Sequence, residues 1–422
     1  MSDLRLDADA RHVDRQALVR QRAYMFVVVG QAVSQLGNTA FKVGLAFSSL
    51  ALDSSGVLLP QIFVAQGVGM LASLGIGGVL SDRRSARSIV FLSDVVRLFL
   101  VLIVTGLFAA GHAASWHLLA LGLGFGLVEG VFQPAMGAAT PELLPADLLP
   151  SGNAFRTALW RGVSLVGGPL GALLVVVNVE TAFAVNALTF AVALAALLIG
   201  GRWPHPHEGS RQRQNMLVEL RGGIAFVGRA KWLLGLIGTS CAMVVFVFAG
   251  SFSVLPLVLA DRSAGAFSYG LLLTVTALGG LVAGLVMMRL GSPRAAGAVF
   301  LWSSVLVVVA YGGLLWSSNL IVLVALGALA GAATAAASIV YSNVLQTLVP
   351  REMLGRVSSV DMLGSFALIP VAQAGLAWCV ALWSPRSVYA VSLAVALVVG
   401  LSALVFGPVR HLTVATADAK GS

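Results

Sequence analysis

Long apolar runs alternate with short polar breaks along almost the whole chain. The runs cover residues 24–50, 57–80, 89–110, 117–138, 154–177, 181–200, 233–259, 267–289, 296–316, 320–347, 357–382 and 386–408. Each supplies the ~20 residues that a helix needs to cross the hydrocarbon core, where only a helix or a closed barrel satisfies its own backbone. The pattern predicts an all-α integral membrane protein with twelve transmembrane helices. The polar segment 201–231 splits them six and six. The expected organisation is a tail over 1–22, a six-helix bundle over 23–200, a linker over 201–231, a second six-helix bundle over 232–409 and a tail over 410–422. An even number of spans puts both termini on one side.

Composition points the same way. The chain is 58% hydrophobic and 10% charged, against about 25% charged in an ordinary soluble domain. A formal charge of +9 would suggest nucleic acid in a soluble protein, but no basic patch with interleaved aromatics accompanies it, so no nucleic-acid partner is expected. The charge is explained by orientation. Of 26 Lys and Arg, only Arg262 and Arg386 fall in loops on one side, and Lys42, Arg97, Arg156 and Arg161 fall inside spans. All the others lie in the tails and in loops on the amino-terminal side, which the positive-inside rule makes cytoplasmic. The polar, Arg-bearing residues 1–22 make a cleavable signal peptide unexpected. Cys241 and Cys379 lie in separate spans, so neither a disulfide nor a metal site is expected from them.

An internal repeat supports two halves. Leu143-Leu144-Pro145-Ala146-Asp147-Leu148-Leu149 after the fourth span aligns with Leu348-Val349-Pro350-Arg351-Glu352-Met353-Leu354 after the tenth, an offset of 205 residues.

The break Gly77-Gly78-Val79-Leu80-Ser81-Asp82-Arg83-Arg84-Ser85-Ala86-Arg87 concentrates charge between two greasy spans. It resembles the loop between the second and third helices of the major facilitator superfamily, usually Gly-x-Leu-Ala-Asp-Arg-x-Gly-Arg-Arg. Gly78, Leu80, Asp82, Arg83 and Arg87 fit, and Ser85 stands where the family usually has Gly. The resemblance implies two six-helix bundles. It also implies a gating role, in which Asp82 complements the amino terminus of helix eleven near Val357 and favours the outward-open state. The alternative is a plain turn whose arginines anchor to lipid phosphate. In the fifth span, Gly167-Gly168-Pro169-Leu170-Gly171 resembles the Gly-Pro motif of facilitator antiporters, with Ala172 and Leu173 where further glycines are usual. Proline removes a helical hydrogen bond and the glycines leave a smooth face, which tilts the expectation from importer to exporter.

Charges inside the spans are the remaining chemistry. Asp94 and Arg97 stand about 9 and 13 Å into helix three at 1.5 Å per residue. Glu129 lies just past mid-membrane in helix four, Arg156 and Arg161 in helix five, and Lys42 in helix one. Each charge costs about 2.5–3.5 kcal/mol to bury on insertion scales, so they are expected to face one another or a water-filled cavity. Glu129 is the expected proton carrier, since it is the deepest acid and desolvation favours its neutral form unless an arginine counteracts this. The alternative is a structural ion-pair network. The second half carries only Asp361 in a span. His205 and His207 have no acidic or Cys partner nearby, and His112 and His117 form no catalytic set, so no metal, cofactor or enzymatic activity is expected. No lysine follows a glycine in a phosphate-binding loop.

The resemblance, closest to bacterial drug and enterobactin exporters, implies a proton-coupled exporter of a small amphipathic compound (a drug, antibiotic or siderophore-like metabolite). It would sit as a monomer in the lipid bilayer of the bacterial inner membrane, with both termini cytoplasmic. An uncoupled facilitator or importer, and a non-transporting receptor or scaffold, stay open as alternatives.

Overall fold

The computed structural model describes residues 17–83, 85–145, 148–201, 203, 216–260, 265–290 and 293–413; the side chains of 74–83 and of some other helical positions lie outside that description. Among the described residues the regular structure is helical throughout, in α1 (Arg22–Leu52), α2 (Leu58–Arg83), α3 (Ala86–Ala109), α4 (Ser115–Leu143), α5 (Leu149–Val177), α6 (Val179–Ile199), α7 (Met216–Arg229), α8 (Lys231–Ala260), α9 (Gly265–Leu290), α10 (Ala296–Trp316), α11 (Leu320–Leu348), α12 (Arg351–Leu382) and α13 (Pro385–Phe406).

Eight of these, α3, α4, α6, α8, α9, α10, α11 and α13, contain stretches long and apolar enough to cross a membrane. Four further helices, α1, α2, α5 and α12, occupy expected spans without meeting that measure. In α1 the reason is visible: Gln31, Ser34, Gln35, Asn38 and Lys42 interrupt an otherwise apolar helix. In α2, α5 and α12 the measure extends only over the described apolar stretches Leu58–Ser73, Leu165–Val177 and Leu368–Leu382.

Helix ends are set by local chemistry. Asn178 alone separates α5 from α6. Its extended backbone ends one helix, and its side chain accepts from Thr181 N at 2.7 Å to cap the next, a contact worth about 1 kcal/mol. Ser85 and Ser384 cap α3 and α13 in the same way.

The chain forms two compact units, Met1–Ser48 with Ala65–Ser210, and Ser49–Val64 with Arg211–Ser422. In the first, α3 packs on α4 and α6, over a core that includes Tyr24, Val27, Val90, Ala135 and Leu197. Tyr24 Oη donates to Gly152 O at 2.6 Å and ties α1 to α5. Helices α2 and α4 cross in close contact: a Cβ on Gly126 would run into the Gln66 carbonyl, and one on Gly69 into the Leu123 carbonyl. The second unit repeats this crossing between α9 and α11, where Gly331 meets the Thr276 carbonyl and Gly279 the Ala328 carbonyl. Close approach through small residues replaces the hydrophobic drive that lipid cannot supply.

Helix α8 contains the main irregularity, a π turn over Val244–Phe248. A π turn leaves backbone carbonyls without their usual partner. Here side chains from α13 and α12 supply donors: Ser392 Oγ to Phe246 O at 2.8 Å, Tyr389 Oη to Val247 O at 3.2 Å and Gln373 Nε2 to Ala249 O at 3.2 Å.

Candidate functional site

The first unit holds a cavity of about 370 Å³ walled by α1, α3, α4 and α5. Gln31, Ser34, Gln35 and Asn38 recur at helical spacing and so share one face of α1. In α3, Asp94 and Arg97 stand one turn apart. In α4, Glu129, Phe132, Gln133 and Met136 form a second helical face, and Arg156 and Trp160 close the wall from α5.

The charges form a hydrogen-bonded chain. Gln31 Nε2 donates to Asp94 Oδ2 at 2.6 Å. Asp94 is fully buried, and its Oδ1 lies 3.9 Å from Arg97 Nη1. Arg97 Nη2 donates to Glu129 Oε2 in a short contact, and Gln133 Nε2 donates to Glu129 Oε1 in another. The Arg97 side chain is only 3% exposed and sits over the Phe132 ring, 4.2 Å from its centroid; the ring's negative face favours the cation. The guanidinium is thus held between a sealed acid and an acid that opens to the cavity, since the Glu129 side chain keeps 28% exposure. Asn38 Oδ1 is buried without a hydrogen-bond partner among the described residues. Such a wall can neutralise a charged ligand group or exchange a proton without an isolated ion in the core.

The structure therefore brings together Asp94, Arg97 and Glu129, with Arg156 on the same cavity. Lys42, one turn beyond Asn38, has an exposed side chain whose charge interacts with that of Glu129. The side chain of Arg161 lies outside the described residues, as do those of Gly78, Asp82 and Arg83; Arg84 lies wholly outside them. Arg87 donates from Nη2 to Leu197 O at 3.3 Å, at the end of α6. In α5, a Cβ on Gly167 would strike Thr39 and one on Gly171 the backbone of Ala40, so this glycine face seats α5 on α1; Gly168 is buried and Pro169 lies within the helix.

One expectation is revised. The sequence leads one to expect Glu129 to be the most withdrawn acid, but in the structure Asp94 is the one withdrawn from solvent. Depth along the sequence and distance from water differ because the cavity reaches Glu129. Gln31, Gln35, Asn38, Gln133 and Trp160 were not singled out from sequence, although the polar stripe at helical spacing in α1 was a usable signal. His117 has a structural role, its Nδ1 accepting from Ala114 N at 2.9 Å. His205 and His207 lie outside the described residues, within which no cluster of three potential metal ligands occurs.

A second cavity, about 230 Å³, lies within the second unit and is lined by α8, α10 and α11. Its wall on α11 consists of Thr334, Ala337, Ser338 and Tyr341, each 205 residues after Glu129, Phe132, Gln133 and Met136. Its wall on α8 includes Ser240, Met243 and Val244, 209 residues after Gln31, Ser34 and Gln35. At the end of the π turn, Phe248 stands 210 after Asn38. The π turn is one inserted residue.

Comparison with known proteins adds the following. The family model of the Major Facilitator Superfamily matches residues 27–296. An enterobactin exporter, EntS, from Salmonella choleraesuis (strain SC-B67) is 28% identical over 300 residues, 69% of this chain and 70% of the relative. A Bacillus subtilis (strain 168) protein described as an uncharacterized MFS-type transporter, YfiS, is 21% identical over 272 residues, 61% of this chain and 64% of the relative. Among solved structures, an inward-facing bacterial homologue of the iron transporter ferroportin superposes with a TM-score of 0.67 at 15% identity, over 90% of this chain and 98% of that one. A POT family transporter bound to a peptide conjugate gives 0.66 at 14% identity, over 93% and 97%. At these identities the two structures speak for the fold alone.

Proposed function

The chain belongs to the Major Facilitator Superfamily, a family of multi-pass membrane transporters, and on that premise we propose that it is a proton-coupled exporter of a small amphipathic compound such as a drug, an antibiotic or a siderophore-like metabolite. The observation that carries this reading is the chain Gln31–Asp94–Arg97–Glu129–Gln133 on the wall of an open cavity. While Glu129 is ionised it holds Arg97. A proton arriving from the cavity releases Arg97, which keeps Asp94 and becomes available to a substrate group. Loss of the proton restores the pair and expels that group. Exchange of the two across the membrane needs the halves to alternate their access. Similarity to an enterobactin exporter and the Gly-Pro element of α5 support export over import.

In this reading the protein is a monomer with twelve spans in two six-helix bundles, 23–200 and 232–409, joined by the linker 201–231. It lies in the bacterial inner membrane with the tails 1–22 and 410–422 cytoplasmic, which the Lys and Arg distribution supports. Gly78, Asp82, Arg83 and Arg87 form the gating element on the cytoplasmic side. Asp82→Asn then lowers transport while abundance in the membrane stays near normal; unchanged transport would reduce the loop to a topological anchor.

The test of coupling uses vesicles reconstituted with the whole protein and a substrate found by screening compounds in efflux-deficient cells. Glu129→Gln, which keeps size and mimics the protonated acid, is expected to lose uphill, proton-driven efflux and retain downhill exchange. If Glu129→Gln still concentrates substrate and Asp94→Asn does not, the proton belongs to Asp94. Full coupling in both variants would leave the cluster a structural network.

A further inference from the structure

The offset of 205 that carries the α4 wall of the first cavity onto α11 also carries Arg156 onto Asp361. The charge at this position is inverted between the units. Asp361 is half-buried in α12, and its Oδ1 accepts a hydrogen bond from Tyr341 Oη at 2.6 Å. Tyr341 in turn lines the second cavity beside Ser240 and Ser338, and its ring packs on Phe300 at 5.8 Å between centroids.

Among the described residues, what surrounds Asp361 is neutral. From α8 comes the Cys241 thiol and from α11 the Tyr341 phenol. Helix α7 brings Gly222 and Gly223 against Arg356. Helix α13 turns its buried Tyr389 to the Val247 carbonyl instead. On α12 itself, the Arg356 guanidinium is directed at Met353 Sδ, 3.8 Å away. Among the described residues the ion pairs are those of Arg97 with Asp94 and Glu129, and none reaches Asp361. Asp94 and Glu129 thus share a fixed cation, while Asp361 has a phenol as its partner among the described residues. A carboxylate inside a span is costly, and a mobile cation that neutralises it removes that cost.

We propose that Asp361 and Tyr341 form a binding site for an exchangeable monovalent cation, a proton or Na⁺, reached through the second cavity. With a proton bound, the carboxylate becomes a carboxylic acid, and Tyr341 keeps its own hydrogen and turns it towards the cavity hydroxyls. With the site empty, Tyr341 donates to the carboxylate as observed. The site extends the transporter reading by a second coupling position, but its binding does not depend on Glu129.

Dicyclohexylcarbodiimide modifies carboxylic acids in apolar surroundings and leaves carboxylates alone, so it reports the neutral form at each site. The full chain in liposomes is treated across a pH series in sodium chloride and in choline chloride, and modified peptides are identified by mass spectrometry. Asp361 is expected to be labelled at low pH and to lose labelling as pH rises. Tyr341→Phe removes the hydrogen bond that favours the carboxylate, so the midpoint moves up by about one pH unit and labelling rises about twofold at the original midpoint and by up to about tenfold well above it. Suppression by sodium relative to choline identifies Na⁺ as an occupant; equal labelling in both salts identifies the proton. Glu129→Gln leaves the Asp361 profile in place, which separates this site from the coupling assigned to the first unit. Absence of labelling at Asp361 at every pH in both salts, or an unmoved midpoint in Tyr341→Phe, would overturn the proposal.

Discussion

In the first unit the cavity wall on α4 carries Glu129, Phe132, Gln133 and Met136; on α11 of the second, the same positions are Thr334, Ala337, Ser338 and Tyr341. The glycine crossings beneath these walls are alike, Gly69 with Gly126 and Gly279 with Gly331. The backbone frame is therefore shared, and the chemistry diverges in the side chains that line the space. The first unit binds Asp94 and Glu129 to an embedded arginine. The second relies on hydroxyls, aromatic rings and one carboxylate on a phenol. Its α8 also has one residue more, absorbed as a π turn and held by Gln373, Tyr389 and Ser392. Close backbone contacts fix the frame, because any added atom there displaces a helix, whereas cavity positions tolerate substitution. Two copies of one architecture can in this way divide labour.

The strongest way to break the comparison is to remove the fixed cation. Arg97→Met leaves Asp94 buried without its ion pair, and thermal unfolding of the purified protein in detergent should show a loss of about 3–5 kcal/mol. A change on the neutral wall of α11, Thr334→Val, should cost less than about 1 kcal/mol. Equal stability of the two variants would mean that the charged wall is no more demanding than the neutral one. Glu129→Thr gives the first unit the residue that the second has; we expect uphill efflux to fall at least about tenfold, roughly the 1.4 kcal/mol of a single lost interaction, while counterflow persists.

The next test concerns α5. Gly171 lies against the Ala40 backbone, and the position 205 residues later is Leu376. Gly171→Ala should destabilise by about 1–3 kcal/mol through overpacking, and Gly162→Ala, where a Cβ meets open space, should be neutral or slightly stabilising. Matching melting temperatures would show that the close seat of α5 on α1 has slack. The smallest effect belongs to the π turn. Ser392→Ala orphans the Phe246 carbonyl and should cost about 1 kcal/mol, read as a modest fall in melting temperature without loss of coupling.

Much of this was legible in the chain before folding. The polar breaks place the helices to within a few residues, and the offset of 205 read from Leu143 and Leu348 also relates the cavity walls. Asp94, Arg97 and Glu129 stood out because charges inside apolar runs are costly. Gln31, Gln35 and Asn38 did not, since an uncharged polar side chain in a membrane helix carries a smaller penalty and a weaker signal. The contrast between Asp94 and Glu129 was hidden for a different reason: both lie well inside the spans, and only the course of the cavity exposes one of them.

The sequence alone determined that the chain is helical and that it crosses a membrane, because transfer of backbone and side chains into lipid is decided residue by residue. It also fixed the family through the loop around Asp82. The tertiary structure decided which charges meet, that Arg97 serves two acids while Asp361 meets a phenol, and where one extra residue in α8 becomes a π turn. Those outcomes depend on which helix faces pack together, and packing is a property of pairs of segments that no single segment encodes.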